Sequence, residues 1–394
     1  MSETKRVKER ILAIDLLRGI TIAAMVLVNN PGSWGILYNP EGIWRYIFWP
    51  LRHANWHGMT PTDLIFPFFL FLSGASAWFS FRRPAPFSKR LKGIVLRSAE
   101  LFLIGVFLVN FPFNDSAGAL FHKPFAEWRI MGVLQRIALA WGIGAILIAL
   151  WGKKPRLLAL LSAVILFGYW GALHFCGVAG ADPYSVYNHL GHRIDLAVLG
   201  SSHLWSLPNP PYEPEGLLGS LPAVVTVILG WFAGRFIGTR GTTGRGSWLP
   251  AQINLVLWGT LLTVAGLIWN VSFPANKALW SSSYVLISGG IGFLVLSLFI
   301  WLFEEQGWRK YAWIVQVFGT NALLLYILDQ VWVKSSWFLP APTGDGSFSS
   351  WLYNGLCVPL CGPHGGSLLF PILHLLLYWI LLYPLFKRKI FLKL

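Results

Sequence analysis

The sequence contains few charged residues and few cysteines. Only 12% of its 394 residues are Asp, Glu, Lys or Arg, about half the share that soluble globular domains carry. Hydrophobic residues make up 55%, so the chain is neither an ordinary soluble protein nor an intrinsically disordered one. Its three cysteines are too few for a disulfide framework. The 22 Trp, 28 Phe and 12 Tyr instead suit a protein with two membrane–water interfaces to line.

Long apolar segments recur along the whole chain. A helix that crosses a bilayer needs about 20 mostly apolar residues. Asn29, Asn30, Pro31 and Gly32 follow the first such segment where a signal peptide would carry a small-residue cleavage site. We therefore predict a retained first helix and an all-α polytopic bundle that forms one transmembrane domain over 1–394. The predicted spans are 11–30, 62–81, 93–111, 130–151, 156–176, 217–238, 249–271, 281–303, 311–333 and 367–386.

The basic residues indicate the orientation of these spans. Of the 31 Lys and Arg, 21 fall in the termini and alternate loops on one side, including the tail 1–10, and 7 fall on the other side. Cytoplasmic loops carry the excess of Lys and Arg, so both termini are predicted to be cytoplasmic. The net charge of +15 is then explained by topology, with no need for a nucleic-acid partner. The predicted outer loops are 31–61, 112–129, 177–216 and 334–366.

Charged residues inside the predicted spans are costly and often functional. Asp15 and Arg18 are three residues apart and can pair on one helix face, either for packing or for function. Arg97 and Glu100 have the same spacing, which favours a structural pair. Arg136 has no local partner, so it requires an anion, a distant carboxylate or a water-filled cavity.

The segment 52–63, just before the second span, holds the densest chemistry. It contains His53, His57 and Asp63. A histidine held by a carboxylate makes an oriented general base or a nucleophile. Alternatively, these histidines only line the lipid headgroup region. Pro61 suits the first turn of a helix, with Thr60 as a candidate cap.

Seven blocks in this order resemble the heparan-α-glucosaminide N-acetyltransferase family, over nearly the whole chain. They include Ile-Asp-Leu-Leu-Arg-Gly-Ile at 14–20 and Gly-Val-Leu-Gln-Arg-Ile-Ala at 132–138, and the others are 25–29, 53–69, 214–222, 276–284 and 318–322. The resemblance implies acetyl transfer from cytoplasmic acetyl-CoA to a glucosamine amine across the membrane. It implies that His53 is the active-site histidine, with Asn29 and Asp63 beside it, and it suggests a homodimer. His57 stands where the lysosomal pattern has Asn.

The resemblance and the charges together give an expected set of ligand contacts. The phosphates of acetyl-CoA suit arginine side chains, and the acceptor suits carboxylate, amide and aromatic groups. No metal is expected. The predicted cofactor contacts are Arg82, Arg83, Arg136, Arg240 and Arg245, and the predicted substrate contacts are Asn55, His57, Glu215, Lys277 and Trp280. Glu215 either binds a cationic substrate or favours the N-terminus of the sixth span.

Two other classes of function compete with the transferase. A secondary transporter of N-acetylglucosamine or a related sugar would share the ten spans and the intramembrane charges, although no inverted repeat is visible. A membrane scaffold would need neither Arg136 nor the segment around His53. For the transferase, we expect a bacterial inner-membrane enzyme with His53 on the periplasmic side, in contact with lipid and an amino sugar and with no nucleic acid.

Overall fold

The computed structural model describes residues 11–114, 120–240 and 248–392, and this part of the chain is almost entirely helical. The longer helices are α1 Leu12–Asn29, α2 Ile65–Phe81, α3 Phe87–Asn110, α4 Val133–Trp151, α5 Pro155–Phe175, α6 Leu190–Val198, α7 Ser220–Arg240, α8 Leu249–Trp269, α9 Ser282–Ile300, α10 Ala312–Thr320, α11 Ala322–Ser336 and α12 Val358–Lys387. The shorter turns are Trp34–Tyr38, Trp44–Phe48, Trp49–Leu51, Pro61–Leu64, Phe125–Glu127, Ser201–His203, Trp301–Glu305, Phe348–Trp351 and Leu352–Cys357.

The predicted all-α membrane bundle is confirmed. Within the described ranges, nine helices are long and apolar enough to cross a membrane, or ten if α10 and α11 together form one span. Nine of the ten predicted spans fall on one of these helices each, and the ninth, 311–333, falls on the α10–α11 pair. The clearest differences in bounds are at α3, which begins at Phe87 rather than residue 93, and at α12, which begins at Val358 and bends at Gly362.

The ninth predicted span, 311–333, is broken. α10 and α11 meet at an angle of 75°, and Asn321 occupies the break. Its amide donates to the Ile390 carbonyl at 3.1 Å and accepts from the Leu392 N–H at 3.0 Å. Polar groups freed at a helix break inside a membrane need such partners. The segment that follows α12 supplies them, and it thereby lies against the break.

Small residues bring the central helices close together. α2 packs along α7, and α8 packs along α9. Gly74 of α2 lies against the Val227 carbonyl of α7, and Gly230 of α7 lies against the Phe71 carbonyl of α2. Without a hydrophobic driving force in lipid, such contacts between backbones hold membrane helices together. The α2–α7 pair therefore fixes the position of the start of α2, and the Pro61–Leu64 turn just before it carries part of the candidate site.

A methyl group at Gly230 should destabilise the protein because it would overlap the Phe71 backbone oxygen. We expect Gly230→Ala to cost about 3 kcal/mol, the upper end of overpacking in a tight core, and to lower the melting temperature of the detergent-solubilised protein. Gly168→Ala is the matched control, because Gly168 is exposed on α5 with open space around it. Equal melting temperatures for the two variants would contradict the close α2–α7 contact.

Candidate active site

The carboxylate of Asp63 organises the start of the second span. Thr60, the predicted cap, forms a capping box with Asp63 around Pro61. Asp63 Oδ2 accepts hydrogen bonds from the Thr60 N–H at 3.0 Å, the Thr60 hydroxyl at 3.1 Å and the Ala54 N–H at 3.1 Å. The carboxylate is 1% exposed. Three donors on one oxygen therefore hold it in a single orientation.

The other oxygen of this carboxylate orients His53. Asp63 Oδ1 lies 2.7 Å from His53 Nδ1. A carboxylate is an acceptor, so Nδ1 carries the proton that is donated to it. In the neutral ring Nε2 then keeps its lone pair. The imidazole is 37% exposed, so an oriented nitrogen base is accessible to a ligand.

Lys277 is a third member of this group. Its Nζ lies 3.2 Å from His53 Nδ1, 3.4 Å from His53 Nε2 and 3.8 Å from Asp63 Oδ1. Burial lowers the pKa of the Lys277 ammonium, and the nearby Asp63 and Glu215 carboxylates only partly oppose this shift. The segment 276–284, which carries part of the family resemblance, therefore reaches the histidine through this lysine.

A cavity of about 810 Å³ connects this group with the opposite end of the bundle. At one end, the His53 end, its wall includes Asn29, His53, Lys277 and Glu215. At the other end, the basic end, the wall is formed by the last turn of α2, the first turns of α3 and part of α1. The cationic residues there are Arg18, Lys89, Arg90 and Arg97. The cavity thus joins a nitrogen base to a cluster of positive charge.

Arg18 and Arg97 line the cavity, although their spacing from Asp15 and Glu100 favoured local pairing. Arg18 does bind Asp15, at 3.2 Å, and it also donates to the Ser76 hydroxyl at 2.8 Å. The Arg97 guanidinium lies 4.3 Å from the centre of the Trp141 ring, and its Nε has no hydrogen-bond partner within the described ranges. The pairing of Arg18 with Asp15 could be predicted from their helical spacing. The position of the two arginines on a cavity wall could not, because it depends on packing between α1, α3 and α4.

A second cavity of about 780 Å³ adjoins the first. The two share part of their walls, including Glu215 and Gln330. Arg129 lines the second cavity, and it binds Glu215 at 2.7 Å and Glu213 Oε2 at 3.0 Å. Burial alone would raise the pKa of the Glu215 carboxyl, but Arg129, Arg136 and Lys277 outweigh it and hold this pKa below its ordinary value. Glu215 is therefore an anion at the junction of the two cavities.

Two residues predicted from the sequence lie in the protein interior. Arg136 is 1% exposed, and its guanidinium binds the carbonyls of Gly216 and Ala278 at 3.2 and 3.4 Å. It is outside the cavity wall, its guanidinium lies 5.2 Å from the Trp280 ring centre, and its Nε has no hydrogen-bond partner in the described part of the chain. Trp280 is fully buried and donates to the Thr226 hydroxyl at 3.2 Å. In this structure its ring supports Arg136 and is not accessible for stacking on a sugar.

The remaining predicted contacts are dispersed. Asn55 and His57 are exposed on the loop before α2. Burial lowers the pKa of His57, and Asp182 opposes the shift. Arg82 donates to the Gly238 carbonyl at 3.4 Å, and neither it nor Arg83 belongs to the cavity wall. Two predicted contacts, the Arg240 side chain and Arg245, lie outside the described part of the chain.

The chain is similar to two curated acetyltransferases. It is 28% identical to the human heparan-alpha-glucosaminide N-acetyltransferase over 377 residues, which cover 82% of this chain and 53% of the human protein. The mouse protein of the same name is 28% identical over 382 residues, 84% of this chain and 55% of the mouse protein. The chain is a distant relative of these transferases. It spans about half the length of the curated relatives it matches. No protein-family profile matches it.

Removal of Arg129 should destabilise the boundary between the cavities. We expect Arg129→Met to cost about 3 kcal/mol at pH 7, because it leaves two buried carboxylates without their cation. Since the folded-state pKa of Glu215 is depressed, the stabilisation from its ion pair is present above the unfolded-state pKa and is lost as the pH falls through the folded-state pKa. The melting temperatures of wild type and variant should therefore converge as the pH falls below the ordinary pKa of a glutamate carboxyl, and a pH-independent difference would contradict this account.

Proposed function

We propose that the protein transfers an acetyl group from cytoplasmic acetyl-CoA to the amine of a glucosamine-type sugar on the opposite side of the membrane. The observation that carries the proposal is the cavity that joins a cationic cluster to the oriented imidazole of His53. The distant relationship to the two acetyltransferases supports the same reaction class. The excess of basic residues in one set of loops supports a cytoplasmic basic end and a periplasmic His53 end in a bacterial inner membrane.

The basic end suits the phosphates of acetyl-CoA. Arginine binds phosphate through two parallel N–H groups, and the unpartnered Nε of Arg97 leaves a buried donor available. Arg18, Lys89 and Arg90 add positive charge around it. Along α1, Arg18 and Asn29 are about 16 Å apart at a rise of about 1.5 Å per residue. A long, thin acyl-pantetheine arm would bridge this separation while its phosphates stay at the basic end.

The chemistry at His53 has two balanced routes. In one, Nε2 attacks the thioester carbonyl, the C–N bond forms as the C–S bond breaks, and the thiolate leaves. The sugar amine then attacks the acetyl-imidazole, the bond between the acetyl carbon and Nε2 breaks, and the released Nε2 takes the proton that the amine loses. In the other, the amine attacks the thioester carbonyl directly while Nε2 takes its proton, and the C–S bond breaks as the thiolate leaves. In both routes Asp63 holds the ring through Nδ1, and Asn29, which lines the same cavity, polarises the carbonyl.

The second cavity suits the acceptor. It opens among loop residues such as Trp205 and Ser201 and meets the first cavity at Glu215. An ammonium group attracted by the Glu215 carboxylate would enter beside Lys277 and His53. Serine hydroxyls and an aromatic ring are the groups that commonly bind sugar hydroxyls and sugar faces. We therefore assign the amino sugar to this cavity, and Glu215 to the selection of a cationic acceptor.

The first experiment measures acetyl transfer from labelled acetyl-CoA to glucosamine by the purified protein. We expect His53→Ala to reduce the rate by at least about a hundredfold, the range expected for loss of a general base or nucleophile. His122→Ala is the matched control, because His122 is exposed on a loop and, among the described residues, its ring bonds the Leu120 carbonyl.

The outcomes of this experiment separate the competing functions. Labelled His53 after incubation with acetyl-CoA alone supports the acetyl-imidazole route, and transfer that requires both substrates supports the direct one. Uptake of labelled N-acetylglucosamine into vesicles without acetyl-CoA, together with no transfer to any amino sugar, would replace the transferase by a transporter.

The basic end can be tested separately. We expect Arg97→Met to raise the KM for acetyl-CoA about tenfold, because it removes one charged phosphate contact worth about 1.5 kcal/mol, and to leave the KM for glucosamine unchanged. Arg156→Met removes an exposed charge that is not part of the cavity wall and serves as the control. An unchanged KM for acetyl-CoA in Arg97→Met would place the phosphates elsewhere.

A further inference from the structure

The proposed chemistry gives roles to His53 and Asp63 but none to the ammonium group beside them. Lys277 Nζ is closer to both ring nitrogens of His53, at 3.2 and 3.4 Å, than to the Asp63 carboxylate at 3.8 Å. Two groups that can each carry a positive charge thus lie in contact in a partly buried site. Such an arrangement disfavours a second positive charge, so it requires an explanation.

The contact is built into the fold. Asn276 is fully buried, and its Oδ1 accepts from the Leu279 N–H at 2.9 Å. Its own N–H donates to the Ser281 hydroxyl at 3.0 Å. The backbone turns at Trp280, whose φ is 54°, and the ring of this residue is buried. A loop so constrained delivers Lys277 to His53 in one position, unlike a lysine on a mobile surface.

The same loop region is tied to Asp63. Tyr284, in the first turn of α9, donates its hydroxyl to the Asp63 backbone carbonyl at 2.6 Å. The Asn276 amide also lies 3.4 Å from His57 Nδ1. The segment that carries Lys277 and the segment that carries His53 therefore have a fixed separation. The constrained loop around Lys277 and its links to the His53 segment together account for the short distance between the ammonium and the imidazole.

We propose that Lys277 is a positioning residue that keeps the imidazole of His53 neutral, with Nε2 unprotonated, so that it can react. This inference rests on the proposed function. Asp63 alone would favour the imidazolium form, because an opposite charge in contact stabilises a cation. The Lys277 ammonium disfavours the imidazolium form, because it places a second positive charge beside the ring. The other groups that face the site are the Glu215 carboxylate behind Lys277, the Arg52 side chain next in sequence, and the Tyr38 hydroxyl near the His53 backbone.

Both chemical routes need this form of the ring. A protonated Nε2 can neither attack the thioester nor accept a proton from the amine. Asp63 gives the ring its orientation but at the same time favours protonation. A nearby positive charge retains the orientation and counteracts the protonation. Lys277 would then extend activity towards lower pH, and it would have little effect at pH values where His53 is neutral in any case.

The test is the pH dependence of acetyl transfer, measured from pH 5 to 9 with saturating substrates. We expect the acid limb of the rate profile to move upwards by about one pH unit in Lys277→Met, the lower end of the effect of a contacting charge. Well below the midpoint this is a tenfold lower rate, whereas the rates at pH 9 should agree. Lys277→Arg should keep the wild-type profile, and Lys153→Met, an exposed charge on the α4–α5 turn, is the control.

The alternative role for Lys277 is the substrate contact that the sequence suggested. It predicts a raised KM for the sugar in Lys277→Met with an unchanged acid limb, and that result would overturn the inference. So would loss of activity at every pH in a variant with the wild-type melting temperature. If Lys277→Met does not fold, Lys277→Gln removes the same charge and retains a hydrogen-bonding side chain.

A second measurement separates this inference from the proposed function. Diethyl pyrocarbonate modifies neutral imidazole, and mass spectrometry of the His53 peptide follows the reaction in membranes without any substrate. We expect half-maximal modification of His53 at a higher pH in Lys277→Met than in wild type. If the two proteins differ in this way but the wild type transfers no acetyl group, the proposed function is refuted and the role of Lys277 is retained. Superimposable modification curves would refute the role.

Discussion

The carboxylate of Asp63 is the group on which the site and the adjoining fold both depend. One oxygen closes the capping box at the start of the second span, and the other orients His53. The backbone carbonyl of the same residue accepts the Tyr284 hydroxyl from α9. The helix cap, the His53 imidazole and the neighbouring helix α9 therefore all depend on contacts with Asp63. A polar group this deeply buried is stable only when it is fully hydrogen-bonded, and the bonds that stabilise it also fix the geometry of the site.

Charge inside the bundle is accommodated in two different ways. Arg136 donates to two backbone carbonyls and lies over an aromatic ring, and the Glu215 carboxylate attracts its charge. Arg18 and Arg97 instead face a cavity. Arg18 is also paired with Asp15, whereas for Arg97 contact with water or with an anionic ligand in the cavity would lower the cost of burying its charge. The first kind of arginine contacts the protein interior, and on the proposed function the second kind binds an anion.

Hydropathy and motif order predicted the membrane bundle, and segment 52–63 predicted the contact between His53 and Asp63. These features are local, because a helical span and a capping box depend on residues close in sequence. The break at Asn321 was not predictable, since both flanking segments are apolar and its partners lie about 70 residues away. The burial of Trp280 and the position of Arg97 on the cavity wall likewise depend on helices that are distant in the sequence.

On the proposed function, the shape of the first cavity removes the main physical obstacle to acetylation across a membrane. The phosphates of acetyl-CoA carry charges that cannot enter the apolar interior at an acceptable cost. A cavity with cations at one end and His53 at the other lets those charges stay outside, while an uncharged acyl arm fills the apolar middle. The acetyl group then reaches Nε2 without movement of the whole donor. Such a protein needs a fixed passage and a base that is neutral on arrival, and it has no need for the alternating states of a transporter.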